Sequence, residues 1–355
     1  MKNGRKHIAI LISALLAMLI AFGAVIGCTP GKEPEKTEEP AVTDEPATPE
    51  PENQIKVLAH WKLQNQEGCY TGSVDDDSVG FKDLSGNGND LIAVVAGNGD
   101  QLDIFSWDTE VGAGQKFTSG LKMNNTKALS ATVDPYKASE TSYSGGYTSG
   151  KYLETVKGAP INAYKFSNGF SIEVIFKLSP ELDNEYNRYT GIFSRQGVIE
   201  EQNEPPFSIA LSEWTNNSDG VIGENKTWLQ LLMMDDTSRL NYEMDDILID
   251  ASEWHHVLIT LDDMGKVLVY LDGAKLFESW TAFSEIYCSN PNFSWEVGVG
   301  RKSGTDHDKD SKNANTPEGM IRRLFAGSIA EIRMLDQPIT VEESLYPVEF
   351  QNNAK

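Results

Sequence analysis

Between residues 170 and 178, apolar side chains fall at every second position. Phe170, Ile172, Val174, Phe176 and Leu178 share one face of an extended chain. Ser171, Glu173 and Lys177 share the other, with Ile175 the exception. A helix would scatter these residues around its axis, so the period predicts a half-buried strand with its polar row toward water. Two more β-rich runs, 256–261 and 266–271, are joined by Asp262-Asp263-Met264-Gly265, whose glycine is free to take positive φ. Asp272-Gly273 turns the chain again. Further strands are expected at 55–63, 207–212, 227–234, 294–300 and 325–335. Helical periodicity is scarce beyond the N-terminus, although Thr340-Val341-Glu342-Glu343 fits a capping box and predicts a short helix. No fixed-period repeat is visible. Strands separated by Gly-, Asn- and Asp-rich turns predict an all-β fold over 55–346, a two-sheet antiparallel jelly-roll sandwich. The length beyond an ordinary sandwich is assigned to loops, notably 96–168 and 301–322.

Two segments of different character precede that domain. Lys2, Arg5 and Lys6 stand before an uncharged apolar run from Ile8 to Val25, and Val25-Ile26-Gly27-Cys28 follows. A basic start and a short apolar run predict a secretory signal peptide over 1–27. Its end resembles the lipobox of bacterial lipoproteins. The resemblance implies acylation at Cys28 and an extracytoplasmic, lipid-anchored location on the bacterial membrane surface, held by acyl chains that contribute about 0.8 kcal/mol per buried CH₂. Residues 28–54 carry the acylated cysteine and a linker with six prolines, eight acidic residues and no aromatic. That composition cannot bury enough apolar area to offset its ordering entropy, and it predicts an extended, disordered stalk. Residues 347–355 read as a tail.

Charge narrows the partners. The formal net charge is −23, with 53 acidic residues against 30 basic ones. Such a surface repels phosphate backbones and anionic lipid headgroups, so nucleic acid is excluded and membrane contact is left to the anchor. Three cysteines and five histidines leave little material for a Cys/His metal cluster.

Five pieces in order carry a family resemblance: Ala59-His60-Trp61-Lys62-Leu63; Asp83-Leu84-Ser85-Gly86-Asn87-Gly88-Asn89-Asp90; Phe170 to Val174; Trp254-His255-His256-Val257 through Asp272-Gly273; and Phe325 to Arg333 with Leu335. Together they resemble the laminin G-like, concanavalin A-like lectin/glucanase superfamily in its bacterial pentraxin-like branch. The resemblance implies the sandwich fold and leaves function open, because the fold hosts lectins, adhesins, enzymes and spacers.

Relatives that cleave glucans set two carboxylates on one strand face, roughly 5 Å apart. Here Glu243-Met244-Asp245-Asp246-Ile247-Leu248 begins such a motif and lacks its second glutamate. Asp245 and Asp246 read as turn or solvent-face residues, and no enzymatic activity is expected. His60, His255 and His256 read as strand packing. The family resemblance also implies one structural calcium, for which Asp83, Asn89 and Glu331 are the candidate ligands. Ala330 stands where many relatives carry a further aspartate. Asp306-His307-Asp308-Lys309-Asp310-Ser311 begins like an EF-hand loop but has Ser311 at the sharp-turn glycine position, and reads as a solvated acidic loop.

Sugars are held by aromatic faces together with amides and carboxylates on exposed loops. Tyr186 and Tyr189 form one candidate set. Trp214 with Asn216, Asn217 and Asp219 forms another, and 139–150 has the composition of a binding loop. Cys69 and Cys288 form an even pair once Cys28 is acylated, and an extracytoplasmic setting permits a disulfide between them. The sequence thus points to a surface-anchored, non-catalytic module for a carbohydrate or glycoconjugate. A structural or adhesive head with a protein partner in the cell envelope is the alternative.

Overall fold

A computed structural model of the chain describes residues 55–96, 103–112, 115–125, 150–180, 190–195, 205–211, 226–235, 238–251, 253–283, 285–286, 293–301 and 322–345. All of them lie in one compact unit, Asn53–Lys355. Among the described residues there are two large antiparallel sheets and a small two-stranded one, Val299–Arg301 with Arg322–Leu324. The first runs Ala274–Trp280, Lys266–Leu271, Trp254–Leu261, Phe170–Leu178, Ala326–Leu335, Gly120–Asn124 and Phe105–Asp108. Val57–Lys62 also belongs to it, pairing with the later part of Ala326–Leu335. The second runs Arg239–Asp250, Lys226–Met234, Phe207–Leu211, Gly191–Arg195, Trp295–Val297, Gly150–Thr155, Leu91–Ala96, Gly80–Phe81 and Tyr70–Thr71.

The alternation read in the sequence sets the register. Val174 lies opposite Val257, and Ile172 opposite Ile259, so matching apolar rows point inward. They meet Phe193, Phe207, Ile209, Leu229 and Leu231 of the second sheet in one continuous core. Trp295 stacks on Phe193 at 5.1 Å between centroids. Each such buried side chain contributes roughly 1.5–3 kcal/mol. The expected all-β, two-sheet antiparallel sandwich is what the chain forms.

The hairpin chemistry is also as read. Asp262 Oδ1 accepts from the Met264 and Lys266 amides at 3.0 and 2.7 Å, and Gly265 sits at φ +87°. Asp272 and Gly273 both take positive φ, +50° and +79°, the mark of a tight turn whose twist matches its strands.

Four expectations need correction. The stretch 96–168 is more than loop: it holds the strands Phe105–Asp108, Gly120–Asn124 and Gly150–Thr155. Gly298, at φ +83°, breaks the run 294–300 into two short strands. The Thr340 capping box starts a 3₁₀ turn, Val341–Glu343, in which the Thr340 amide donates to Glu343 at 2.8 Å. Finally, Phe170–Leu178 is buried on both faces, and Ser171 and Glu173 are fully enclosed.

Covering segments explain that last difference. Residues 336–345 cross the outer face of the first sheet. Ser171 Oγ donates to the Gln337 carbonyl at 2.8 Å and accepts from the Ile339 amide at 2.9 Å. The Leu345 amide donates to Glu173 at 2.9 Å. A second cover comes from residues near 110, where Phe117 packs on Ile175 and Ala330, and the Trp254 indole donates to the Glu110 carbonyl at 2.9 Å. Ile175 breaks the alternation because its face is not wet.

Candidate functional site

The Asp83–Asp90 turn is built from its own polar side chains. Asp83 Oδ1 accepts from the His60 amide, the Ser85 amide and Ser85 Oγ at 3.0, 3.0 and 2.6 Å. Its Oδ2 accepts from the Asn89 amide and Asn89 Nδ2, both at 3.0 Å. Gly86 and Gly88 take the positive φ that the loop needs. Asn87 and Asn89 donate to the Leu58 carbonyl at 2.9 Å each. Trp61 Nε1 donates to the Asn89 carbonyl at 2.7 Å, which pins the turn to the core.

Beside this turn, at the edge of the second sheet, lies a half-open pocket of about 240 Å³. Its polar lining is Thr71, Asp77, Ser78, Lys82 and Asp90; its apolar lining includes Val79, Ile92 and Val156. Asp90 is exposed, and its Oδ1 accepts from the Asp83 amide at 2.8 Å, so the turn orients one wall. Asp77 forms an ion pair with the buried Lys151, whose backbone is held by Asn125. Gly80 keeps the floor low. A Cβ there would come within 2.9 Å of the Leu91 carbonyl and 3.3 Å of Thr71 Oγ1.

The three residues read as calcium ligands are committed elsewhere. Both Asp83 oxygens face N–H and O–H donors, a setting that repels a cation. Asn89 Oδ1 accepts from the Ile161 amide at 2.9 Å. Glu331 Oε1 lies 2.7 Å from His60 Nε2, and its Oε2 accepts from Gln64 at 3.5 Å. Asp83 and Asn89 thus come together, whereas Glu331 pairs with a histidine. These residues do not fit the ion as arranged, and among the described residues no cluster of three or more metal-ligating side chains occurs.

His255 and His256 pack in their strand as read. His255 Nδ1 lies 2.8 Å from Asp272 Oδ2, and its Nε2 3.0 Å from the Asp250 carbonyl. Burial pulls the His255 pKa down, but the Asp272 carboxylate outweighs it and holds the ring above its usual range. His256 Nε2 and the Arg333 guanidinium flank Glu173 at 3.3 and 2.6 Å. Burial raises the Glu173 pKa, and His256, the Arg333 guanidinium and the Leu345 amide overcome that and hold it below the usual carboxylate range.

Glu243, Asp245 and Asp246 fall within the edge strand Arg239–Asp250 and not in a turn, in a stretch where its register shifts between Met244 and Ile249. Cys69 is a buried free thiol, and burial pushes its pKa up. Cys28, Tyr186, Tyr189, Trp214, Asn216, Asp219, Cys288, the 306–311 loop and 139–149 lie outside the described residues.

Sequence reasoning missed Thr71, in the short edge strand Tyr70–Thr71, Asp77, in the connection to the strand Gly80–Phe81, and Lys82, just after that second strand. It also missed Trp280, which is 60% exposed on the opposite edge of the sandwich. The Asp83 motif was the available signal for the pocket, since the turn supplies the adjoining wall.

No family model and no curated protein matches this chain. Among solved structures it is similar to domain 4 of a GH43 extracellular arabinanase from Geobacillus stearothermophilus in complex with arabinotriose, at 16% identity and a TM-score of 0.43, over 81% of this chain and 95% of that one. It is similar to the binding domain of Paraclostridial mosquitocidal protein 1, at 12% identity and a TM-score of 0.45, over 81% of this chain and 50% of that one. The native heptameric SAP-like pentraxin from Limulus polyphemus is similar at 14% identity and a TM-score of 0.32, over 50% of this chain and 67% of that one.

Proposed function

We propose that the chain is a surface-anchored, non-catalytic binding module whose sandwich head holds a carbohydrate or glycoconjugate in the pocket beside the Asp83–Asp90 turn. One observation carries this reading. Thr71, Asp77, Asp90 and Lys82, residues with hydroxyl, carboxylate and ammonium chemistry, line one half-open pocket with the apolar Val79, Ile92 and Val156. A sugar presents hydroxyls that both donate and accept, alternating with C–H surfaces, and needs such a mixed lining. The Asp83 hydrogen bonds set the wall before any ligand arrives, which lowers the ordering cost of binding.

Binding without turnover is the reading because the pocket carboxylates are engaged. Asp77 is paired with Lys151, and one Asp90 oxygen accepts from a backbone amide. Anchoring through Cys28 rests on the basic start, the apolar run and the lipobox-like end. Affinity electrophoresis of the full chain through arabinan, xylan, mannan and mixed-linkage glucan tests the pocket. Retention in at least one gel, weakened about tenfold by Asp90→Asn, is expected, because each lost charge-assisted bond contributes roughly 1.5–3 kcal/mol. Free migration in every gel would end the reading. Cys28→Ser should abolish labelling by an alkyne fatty acid in a bacterial host.

A further inference from the structure

Trp280 closes the edge strand Ala274–Trp280 of the first sheet, on the side of the sandwich away from the pocket. The two sheet edges on that side are marked by the stack of Tyr242 on Phe277, at 3.9 Å between centroids. The pocket side is marked by Tyr70 packing on Trp107 at 5.1 Å. The other edge strand of the first sheet, Phe105–Asp108, contributes Trp107, so the pocket and Trp280 occupy opposite lateral edges.

Packing does not account for this indole. Trp280 is 60% exposed, while Trp61 and Trp295 are fully buried. Its surroundings are ordered and charged. Lys266, directly across in register, places Nζ 5.8 Å from the ring centroid. Glu278 sits between two ammonium groups, 3.1 Å from Lys266 Nζ and 2.7 Å from Lys275 Nζ. An aromatic face thus stands beside a fixed acceptor and two donors. Met264 is 71% exposed at the hairpin tip, where the Gly265 carbonyl accepts from the Thr281 amide next to Trp280.

We infer that Trp280 is a second carbohydrate platform, with its indole stacking on sugar C–H groups and Glu278, Lys266 and Lys275 meeting the flanking hydroxyls. The aromatic face carries the negative end of the ring quadrupole and attracts the positive C–H edges of a pyranose or furanose. Two alternatives fit less well. A protein hot spot sits in an apolar, desolvated centre, and here the indole is ringed by charges. An anionic membrane would meet the Glu278 carboxylate and a chain of net charge −23. The ligand class is that of the proposed pocket, on which this inference rests for its chemistry; the residues are separate, so either site can fail alone. Two sites on opposite edges let one long polysaccharide engage the head twice, or let two chains be bridged. Avidity of this kind can raise retention about 10²–10⁴-fold over one site when geometry allows.

The test uses the full chain, the polysaccharides above and their hexasaccharides, with acrylamide quenching of tryptophan emission as the local readout. Expected is protection of one exposed indole by a hexasaccharide, absent in Trp280→Ala, with retention on the polymer at least tenfold weaker in that variant and partly restored in Trp280→Phe. The thermal midpoint should be unchanged in both, so loss of fold cannot mimic the result. If Trp280→Ala binds and quenches like the parent while Asp90→Asn does not bind, this inference falls and the pocket stands. If Trp280→Ala alone loses retention, the pocket falls and the platform stands. Unchanged sugar binding in Trp280→Ala together with a photo-cross-link formed from position 280 to an envelope protein would overturn the inference in favour of a protein contact.

Discussion

Phe170–Leu178 and Ala274–Trp280 belong to the same sheet, with two strands between them, and their outer faces have opposite fates. On the first, Glu173 is enclosed between His256, Arg333 and the Leu345 amide beneath residues 336–345. On the second, Glu278 and Trp280 lie open. The difference teaches that a charged residue in an alternating strand has no fixed meaning. Under a cover it is a paired structural ion; in the open it is available for contact.

The comparison can be broken most severely at Glu173. Glu173→Ala leaves Arg333 and His256 facing each other under the cover, and a loss of about 3–5 kcal/mol is expected in urea unfolding. A loss below about 1 kcal/mol would mean that the covering segment does not enclose the charge. Next in size is Asp83→Ala, which strands the His60, Ser85 and Asn89 donors and should cost about 1–3 kcal/mol. Because those donors already saturate the carboxylate, calcium or EDTA should leave the thermal midpoint unchanged; a fall on chelation would restore calcium to the turn.

Acidity sharpens the contrast with a smaller effect. Glu173 titrates below its usual range in the fold, so its stabilisation is complete above that range and is lost as pH falls through its lowered native value. His255 titrates above its usual range, so its stabilisation is complete below that range and is lost as pH rises through the raised native value. Stability plotted against pH should lose its acid limb in Glu173→Gln and, in His255→Gln, the fall that accompanies deprotonation of the raised imidazole. An unaltered curve in either variant would remove that group from the account. Smallest of all is Trp280→Ala, expected within about 0.5 kcal/mol of the parent because an exposed side chain surrenders little on truncation.

Much of the fold could be read from local pattern. The hairpin at Asp262–Gly265, the two-residue turn at Asp272-Gly273 and the strand Phe170–Leu178 all lie where alternation and turn chemistry put them. The candidate site was half legible. Asp83, Ser85 and Asn89 announced a tight polar turn, yet the residues that hollow a pocket beside it, Thr71, Asp77 and Lys82, sit in a strand two residues long, in the connection to the next, or just after it. Strands that short leave no period to detect. Trp280 drew no reading from the sequence, because nothing local distinguishes an open edge from a central strand.

Strand identity, inward rows and turn types follow from the sequence, because backbone dihedrals and side-chain alternation are settled within a few neighbours. Which outer faces are covered follows only from the tertiary fold. The amide that seals Glu173 belongs to Leu345, 172 residues along the chain, and the carbonyl that caps Trp254 belongs to Glu110, 144 residues back. Contacts at such separation depend on how two sheets and their crossings close in space, and no window of sequence around Glu173 or Trp280 carries that information.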